Sequence, residues 1–196
     1  MGERSKIKLG LTYVVCFAIC FALGILWHEL IGHGLVGILA GGHITDLNLF
    51  GFRFLPEFGW SGIPGSIHIE DVATPVLHEL TVLSGPLSTW CVAVLAVVSL
   101  WVRRWKGLGK VILVCLSLWW YDMLGETLTA FGIPKYIFFY SRPPVHYNAA
   151  VWLGIPGSLF IIFSIVTSVC LLAGLVLRLI YDHKQRKKQT CNKDGK

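Results

Sequence analysis

Four long apolar runs divide the chain, and each is long enough to cross a bilayer as a helix. They cover residues 9–40, 76–102, 108–130 and 151–181. About 20 helical residues cross the hydrocarbon core, so the pattern predicts four transmembrane helices. The chain is 55% hydrophobic and 14% charged, with a mean hydropathy of +0.66. This composition is typical of an integral membrane protein and excludes an ordinary soluble domain.

The segment between the first two runs alternates between apolar and smaller or polar residues. Residues 50–54 place phenylalanine at every second position, and Ile67 and Ile69 flank His68 in the same way. Such a period of two predicts short strands. We therefore expect an all-α polytopic membrane protein with about four transmembrane helices and a short β-hairpin-like insertion after the first. His43 and His68, in this insertion, are expected to be exposed.

Basic residues gather at one end of the predicted spans. Of the 17 Lys and Arg residues, 14 precede the first run, separate the second from the third, or follow the fourth; the others are Arg53, Lys135 and Arg142. Cytoplasmic loops collect Lys and Arg, so both termini are expected in the cytoplasm. The first run is too long for a signal peptide and is expected to be retained. We predict one integral membrane domain over residues 1–182 and a basic cytoplasmic tail over residues 183–196.

The net charge of +6 does not indicate a nucleic-acid partner. A basic cluster beside the last span enforces topology and contacts anionic lipid, so the expected partner of the tail is the lipid bilayer. The six cysteines all lie within the runs or in the tail, and none belongs to a Cys-x-x-Cys pair. Neither a disulfide framework nor a thiol metal site is therefore expected.

Two histidines and a glutamate interrupt the first run, in the stretch WHELIGHG of residues 27–34. A charged side chain at bilayer depth costs about 2.5–3.5 kcal/mol, so such a cluster indicates a function. Neutral imidazoles are common zinc ligands, and a glutamate beside the first histidine is the general base of His-Glu-x-x-His zinc proteases. The alternative is that His28 and His33 are ordinary buried histidines bonded to backbone or water.

His28 and His33 are five residues apart, one more than in that zinc motif. On a regular α-helix, residues five apart differ by about 140° in azimuth, so the two rings could not share one ion. A π-bulge adds one residue to a turn and would bring both rings to one face, and such bulges occur mostly at functional sites. Gly32 would ease this distortion. We predict a metal site at His28 and His33.

The third run supplies acidic candidates for this site. Asp122 and Glu126 are four residues apart and therefore share a helix face. His33 lies 8 residues before Gly41, where the first helix is expected to stop, and Asp122 lies 8 residues before Ala130, so Asp122 is the predicted third ligand. Glu126 is the alternative ligand, or an acceptor that holds a zinc-bound histidine. His78 and Glu79 lie near the outer end of the second run, where polar groups are hydrated, and are expected not to be ligands.

The connection between the third and fourth runs contains His146, several prolines and aromatic residues from Tyr136 to Tyr140. This composition suits a segment lying at the membrane interface. Pro156 and Gly157 mark a helix start or a kink near the beginning of the fourth run. The remainder of that run carries no acidic residue before Asp182 and is expected to be scaffold.

In this order, the residues resemble the site-2 protease family of intramembrane zinc metalloproteases. The family's His-Glu-Leu-Gly-His helix is matched by residues 28–33 with Ile31 inserted, and its Ala-Gly-Pro-Leu-Ala-Asn helix by residues 84–89. Asp122 stands where the family's Asp ligand would be. The chain departs from the family at Thr89, which replaces the Asn. The longer His-Glu-x-x-x-His spacing is similar to the zinc motif of dipeptidyl peptidase III.

The resemblance implies zinc-dependent proteolysis within or beside the membrane, with a membrane protein or peptide as the substrate. Zinc held by His28, His33 and Asp122 would polarise water, and Glu29 would be the catalytic base. The glycine-rich strands could bind an unwound substrate by strand addition. One alternative is a catalytically inactive relative that binds or escorts membrane partners. Another is a transport subunit that relays protons or ions, but the glutamate beside the first histidine favours hydrolysis.

Overall fold

A computed structural model describes residues 3–133 and 144–194, with side chains over residues 10–133 and 144–185. The first helix is continuous through three parts, namely α1 (Glu3–Leu26), a π-helix (Trp27–Leu35) and α2 (Val36–Leu39). After the sheet follow α3 (Pro75–Val102), α4 (Gly107–Leu116), a 3₁₀ turn (Ser117–Trp119), α5 (Trp120–Thr129), α6 (Val145–Trp152) and α7 (Gly157–Asp194).

Within these residues, four helices are long and apolar enough to cross a membrane. They are Gly10–Leu39, Pro75–Val102, Gly107–Thr129 and Gly157–Gln185. The chain is 71% helical, which confirms the predicted helical class. The first three helices agree with the predicted runs to within one residue at each end.

The fourth of these helices begins later than predicted. Residues 151 and 152 belong to the separate helix α6, and a break at residues 153–156 precedes α7. Pro156 has no backbone N–H to donate, and proline is favoured in the first turn of a helix, so α7 starts beside it. The backbone of α7 then remains helical to Asp194, through most of the predicted tail.

The predicted hairpin-like insertion is a sheet of four antiparallel strands in the described part of the chain. The strands are β1 (His43–Leu49), β2 (Phe52–Leu55), β3 (Gly59–Trp60) and β4 (Gly65–Glu70), in the spatial order β3-β2-β1-β4. The sequence reading missed β1 because a register shift between Ile44 and Asp46 interrupts its period of two. Phe50 was expected in a strand but lies in a turn with φ 55°.

The edge strand β4 runs alongside the first helix. A Cβ atom built on Gly37 would lie 2.5 Å from Ile69 Cδ1, and one built on Gly65 would lie 2.8 Å from Glu29 Oε1. Four strand residues rise about 13 Å, and the eight helix residues between Glu29 and Gly37 rise about 12 Å, so strand and helix advance together. The Gly65 end of β4 therefore lies beside Glu29.

Helix α3 is the central element, because it packs against the π-helix and against α4, α5, α6 and α7. Its closest approach is to the π-helix, where a Cβ atom on Gly32 would lie 2.5 Å from Gly85 Cα. Only glycine at position 32 permits this separation. The Ser84 hydroxyl also donates to the Gly32 carbonyl at 2.7 Å. The segment that carries His28 and His33 is thereby fixed against α3.

A cluster of charged side chains lies near the other end of the bundle, between α4 and α7. Lys110 and Arg178 are 8% and 6% exposed. Lys110 donates to the Asp182 carboxylate, and Arg178 Nη2 lies 3.3 Å from Asp182 Oδ1. The Arg178 guanidinium also lies over the rings of Trp101 and Tyr181, at 5.7 and 5.6 Å from their centroids.

Candidate metal centre

The π-helix brings His28 and His33 to one side of the first helix. It extends over nine residues, so the predicted distortion is confirmed and is longer than a single bulge. The two ring centroids are 4.7 Å apart, and the two Nε2 atoms are 3.0 Å apart. Five residues now complete about one turn, which removes the 140° separation that a regular helix would impose.

A third imidazole joins this pair from α6. The ring centroid of His146 lies 5.8 Å from that of His28 and 5.5 Å from that of His33. One ligand atom from each of the three histidines can be chosen so that all lie within 4.8 Å of one another. His28 and His146 are 7% and 6% exposed. This buried group could hold a metal ion.

Each of the three rings makes a hydrogen bond through Nδ1. The acceptors are Asp122 Oδ2 for His28 at 2.5 Å, the Thr81 carbonyl oxygen for His33 at 2.7 Å, and Glu126 Oε2 for His146 at 2.5 Å. A carbonyl oxygen and a carboxylate oxygen can only accept, so Nδ1 is the donor in each ring. In a neutral imidazole, the Nε2 atom then carries a lone pair.

These tautomers leave lone pairs directed at one another. The Nε2 atoms of His28 and His33 face each other at 3.0 Å, and two lone pairs at that separation repel. His146 Nε2 is buried and has no hydrogen-bond partner among the described residues. A buried polar atom without a partner costs about 1–3 kcal/mol. One cation among the three nitrogens would remove both costs.

Asp122, the predicted third ligand, is not a member of this group. Its Oδ2 accepts a hydrogen bond from Nδ1 of His28, not from Nε2, which faces His33. The same oxygen also accepts a hydrogen bond of 2.6 Å from the Thr89 hydroxyl. Helix α5 places the Asp122 carboxylate at the Nδ1 side of the His28 ring, so it orients that ring. Glu126 contacts His146 in the same manner, which is the acceptor role that the sequence offered as its alternative.

His146 was not predicted from the sequence as a site residue, because it was assigned to a connection at the membrane interface. The available signal was a histidine in the first turn of a short apolar helix, VHYNAAVW, directly after Pro144. Its two partners in the group lie more than 110 positions earlier in the chain. No sequence spacing relates residues so far apart. The rest of that connection, residues 134–143 with the aromatic residues Tyr136–Tyr140, lies outside the described residues.

Glu29 shares one cavity with the three histidines. The cavity has a volume of about 990 Å³, and its walls include β4, α1, α3, α5 and α6. Glu29 is 7% exposed, and its carboxylate approaches the backbone of β4 at Gly65. The predicted base therefore lies next to the histidine pair and beside an edge strand.

The remaining histidines of the sequence reading lie outside the group. His43 and His68 have side chains that are 59% and 65% exposed, which confirms that expectation. His78 lines the same cavity, but its side chain is 51% exposed and pairs with Glu79 at 3.5 Å. It is not part of the three-histidine group.

Gly85 leaves the space in which an ion would sit. A Cβ atom built on Gly85 would lie 2.7 Å from His28 Nε2 and closer still to His33 Nε2. Any larger residue at position 85 would therefore occupy the volume in front of these nitrogens. Its Cα atom also lies at the close crossing with Gly32, so the same position belongs to both the packing contact and the site.

Comparison of the chain with family models, curated proteins and solved structures finds no match.

Proposed function

We propose that this chain is a membrane-embedded zinc hydrolase that cleaves an amide bond, which is a peptide bond in the form that the resemblance to site-2 proteases implies. One observation carries the proposal. Three imidazoles each offer a ring nitrogen within 4.8 Å of the other two, each ring is held at Nδ1 by an acceptor, and Glu29 lies in the same cavity. Ligands backed by acceptors in this way are the usual construction of zinc sites.

The proposed ligands are His28, His33 and His146, and this set revises the sequence prediction by replacing Asp122. Three protein ligands with a fourth position left open are typical of catalytic zinc, and imidazole is one of its preferred donors. Asp122 and Glu126 keep a role as the acceptors that orient two of the rings. Their negative charge also raises the basicity of those ligands.

Glu29 is the proposed general base. Zinc, when bound, lowers the pKa of water and polarises a carbonyl group. Glu29 accepts the proton of the attacking water and passes it to the nitrogen that leaves. The buried position of Glu29 keeps its carboxylate away from bulk solvent, which strengthens its interactions within the cavity. The edge strand β4 offers backbone groups for an extended substrate beside this carboxylate.

The proposed topology is an integral membrane protein with both termini in the cytoplasm. The distribution of 14 basic residues on one side supports it. A reporter fused after Lys196 should then be cytoplasmic, and a cysteine introduced by Gly62→Cys should react with an impermeant reagent added outside intact cells. External labelling of the tail together with protection of position 62 would reverse the orientation.

Comparison of the wild type with Glu29→Gln tests the function. Both proteins should carry about one zinc per chain, whereas hydrolysis of a transmembrane peptide should fall by about 10²–10⁴ in the variant, the usual contribution of a general base. Glu79→Gln is the matched control, because Glu79 is a glutamate on α3 outside the cavity lining. Undiminished hydrolysis by Glu29→Gln would contradict the assignment. Zinc without any hydrolysis in the wild type would favour the inactive binding protein.

A further inference from the structure

The cavity around the metal centre has two chemically different halves. On one side, its wall is the strand β4, which supplies peptide groups. On the other side, the wall consists of apolar side chains from the first and third membrane helices. These are Phe17, Cys20, Phe21, Gly24, Ile25, Cys115, Leu118 and Trp119, and we call this part the inner groove.

The inner groove extends far beyond the metal centre. Phe17 lies 11 residues before His28 on the first helix, which corresponds to about 16 Å at 1.5 Å per residue. Cys115 lies 7 residues before Asp122 on the third helix, or about 10 Å. The groove is therefore elongated along the helix axes and runs toward the N-terminal end of α1.

The inner groove is closed at one end and open at its side. Cys20 and Cys115 are 5% and 4% exposed and pack with Val111 into a small apolar cluster that forms the closed end. Phe17 and Phe21 are 50% and 43% exposed, so the side of the groove along α1 is open. In a membrane, this opening faces lipid, and an apolar group can enter from the bilayer.

An unwound peptide does not suit the inner groove. Its N–H and C=O groups would face mainly apolar side chains, because the Trp119 indole N–H already donates to the Cys20 carbonyl, and unsatisfied backbone groups are costly in a membrane. A helical peptide satisfies its own backbone but has a diameter of about 10–12 Å. The two walls of the groove pack against each other at Cys20 and Cys115, so a cylinder of that width does not fit between them.

A single alkyl chain satisfies both limits, because it is narrow and requires no hydrogen bonds. We infer that the inner groove binds the hydrocarbon chain of the substrate, and that the substrate is a long-chain acyl amide whose carbonyl lies at the metal centre. This inference rests on the proposed function. The same chemistry is found in a free lipid amide and in a fatty-acylated peptide, and the β4 half of the cavity accepts the polar part of either.

The reaction is a hydrolysis that balances with water alone. The oxygen of water forms a bond to the acyl carbon, and the bond between that carbon and the amide nitrogen breaks. Glu29 transfers the proton of the water to the departing nitrogen. The products are a fatty acid and an amine, and no oxidant or reductant takes part.

Hydroxamates of increasing chain length measure the groove directly, because the hydroxamate group binds zinc and the chain extends from it. Calorimetric titration of the zinc-loaded protein, in one detergent, should show affinity rising by up to about fourfold per methylene, the value for full burial of a CH₂ group. The rise should stop when the chain reaches the closed end. Acetohydroxamate, which has no chain, reports whether the metal centre is intact.

Cys20→Leu places more volume at the closed end, so the rise should stop at a shorter chain and the longest hydroxamate should lose at least 10-fold in affinity. Cys91→Leu is the matched control, because Cys91 is exposed on α3 and does not line the cavity. Because both variants are titrated in the same detergent, the partition of each hydroxamate into that detergent is equal for the two. Cys115→Leu adds volume from the third helix, on the opposite wall of the inner groove. It provides a second variant if Cys20→Leu does not fold.

Identical chain-length profiles in the wild type, Cys20→Leu and Cys115→Leu would overturn the inference, although acetohydroxamate binding would leave the proposed function standing. Absence of both zinc and acetohydroxamate binding would instead defeat the proposed function. In a hydrolysis assay, N-palmitoylglycine and an N-palmitoylated peptide distinguish the two sources, and cleavage of either at least 100-fold faster than its N-acetyl analogue supports the inference. Cleavage of an unacylated transmembrane peptide alone would contradict it.

Discussion

The charged cluster around Asp182 and the three-histidine group both place ionisable side chains inside the same helical bundle. In the first, one carboxylate contacts Lys110 and Arg178, so opposite charges compensate within the chain. In the second, His28 and His33 direct Nε2 atoms at each other, and His146 leaves its Nε2 without a partner in the described part of the chain.

The two clusters differ in the partners that their polar side chains find within the protein. The Lys110–Asp182 pair joins α4 to α7 and the Arg178–Asp182 pair lies within α7, so each charge faces an opposite charge of the protein, although the buried Arg178 Nε atom has no hydrogen-bond partner among the described residues. The Nδ1 atoms of the three histidines bond protein acceptors too, but the Nε2 atoms of His28 and His33 face each other beside Gly85, and the three-histidine group could hold a metal ion. We therefore interpret the first cluster as structural and the second as a candidate metal centre.

The largest effect that separates the clusters is expected from Gly85→Ala. The new methyl group would occupy the space before the Nε2 atoms of His28 and His33, so nearly all bound metal should be lost while the ion pairs remain. Metal analysis of the purified variant measures this. Gly10→Ala is the matched control, because nothing lies within 4 Å of a Cβ atom at that position. Full metal content in Gly85→Ala would mean that the ion binds elsewhere.

Lys110→Met should show the opposite behaviour. Breaking a buried ion pair costs about 3–5 kcal/mol, and we expect the lower end of this range because Arg178 still faces Asp182. The thermal midpoint in detergent should fall, and the metal content should not change. Lys106→Met is the control, since Lys106 is exposed and lies directly before α4, the helix that carries Lys110. Loss of metal without loss of stability would show that the two clusters are coupled.

Asp122→Asn should weaken the metal centre without emptying it. A group that holds a ligand usually contributes 10-fold to 100-fold to metal affinity, and Asp122 holds His28. Competition with a chelator of known affinity measures the change, with Asp71→Asn as the exposed control. If Asp122→Asn empties the site while His146→Ala keeps the metal, the ligand assignment from sequence is correct and ours is wrong.

The smallest effect is expected at Thr89, one contact further from the ion. Its hydroxyl donates to Asp122 at 2.6 Å, so Thr89→Val should lower metal affinity by less than 10-fold. Thr89→Ser keeps the hydroxyl and should restore the affinity of the wild type in the same chelator assay. Equal losses in the two variants would assign Thr89 to packing rather than to the orientation of His28.

The four long apolar helices were predictable from sequence because a long apolar run has few alternatives to a helix of spanning length. The pairing of His28 with His33 was also predictable, since both lie on one segment and only the helix pitch had to change. In both cases, the information is local. Strand β1 was missed because its bulge at Thr45 breaks the local pattern.

The third histidine could not be derived in this way. Asp122 and Glu126 were predicted as residues of the site from their depth along the third helix. Depth alone could not decide whether such a carboxylate would face a bound ion or would bond the Nδ1 atom of a histidine. That choice depends on how α5 and α6 pack around α3, which places His146 between Glu126 and the other two rings. It is a property of tertiary packing, which no spacing along the chain encodes.

X-ray absorption at the zinc edge of the purified protein tests the central claim most directly. We expect one zinc per chain with three imidazole nitrogens at about 2.0–2.1 Å and one further oxygen, and one imidazole fewer in His146→Ala. Two imidazoles with a carboxylate oxygen in the wild type, unchanged in His146→Ala, would contradict the three-histidine centre.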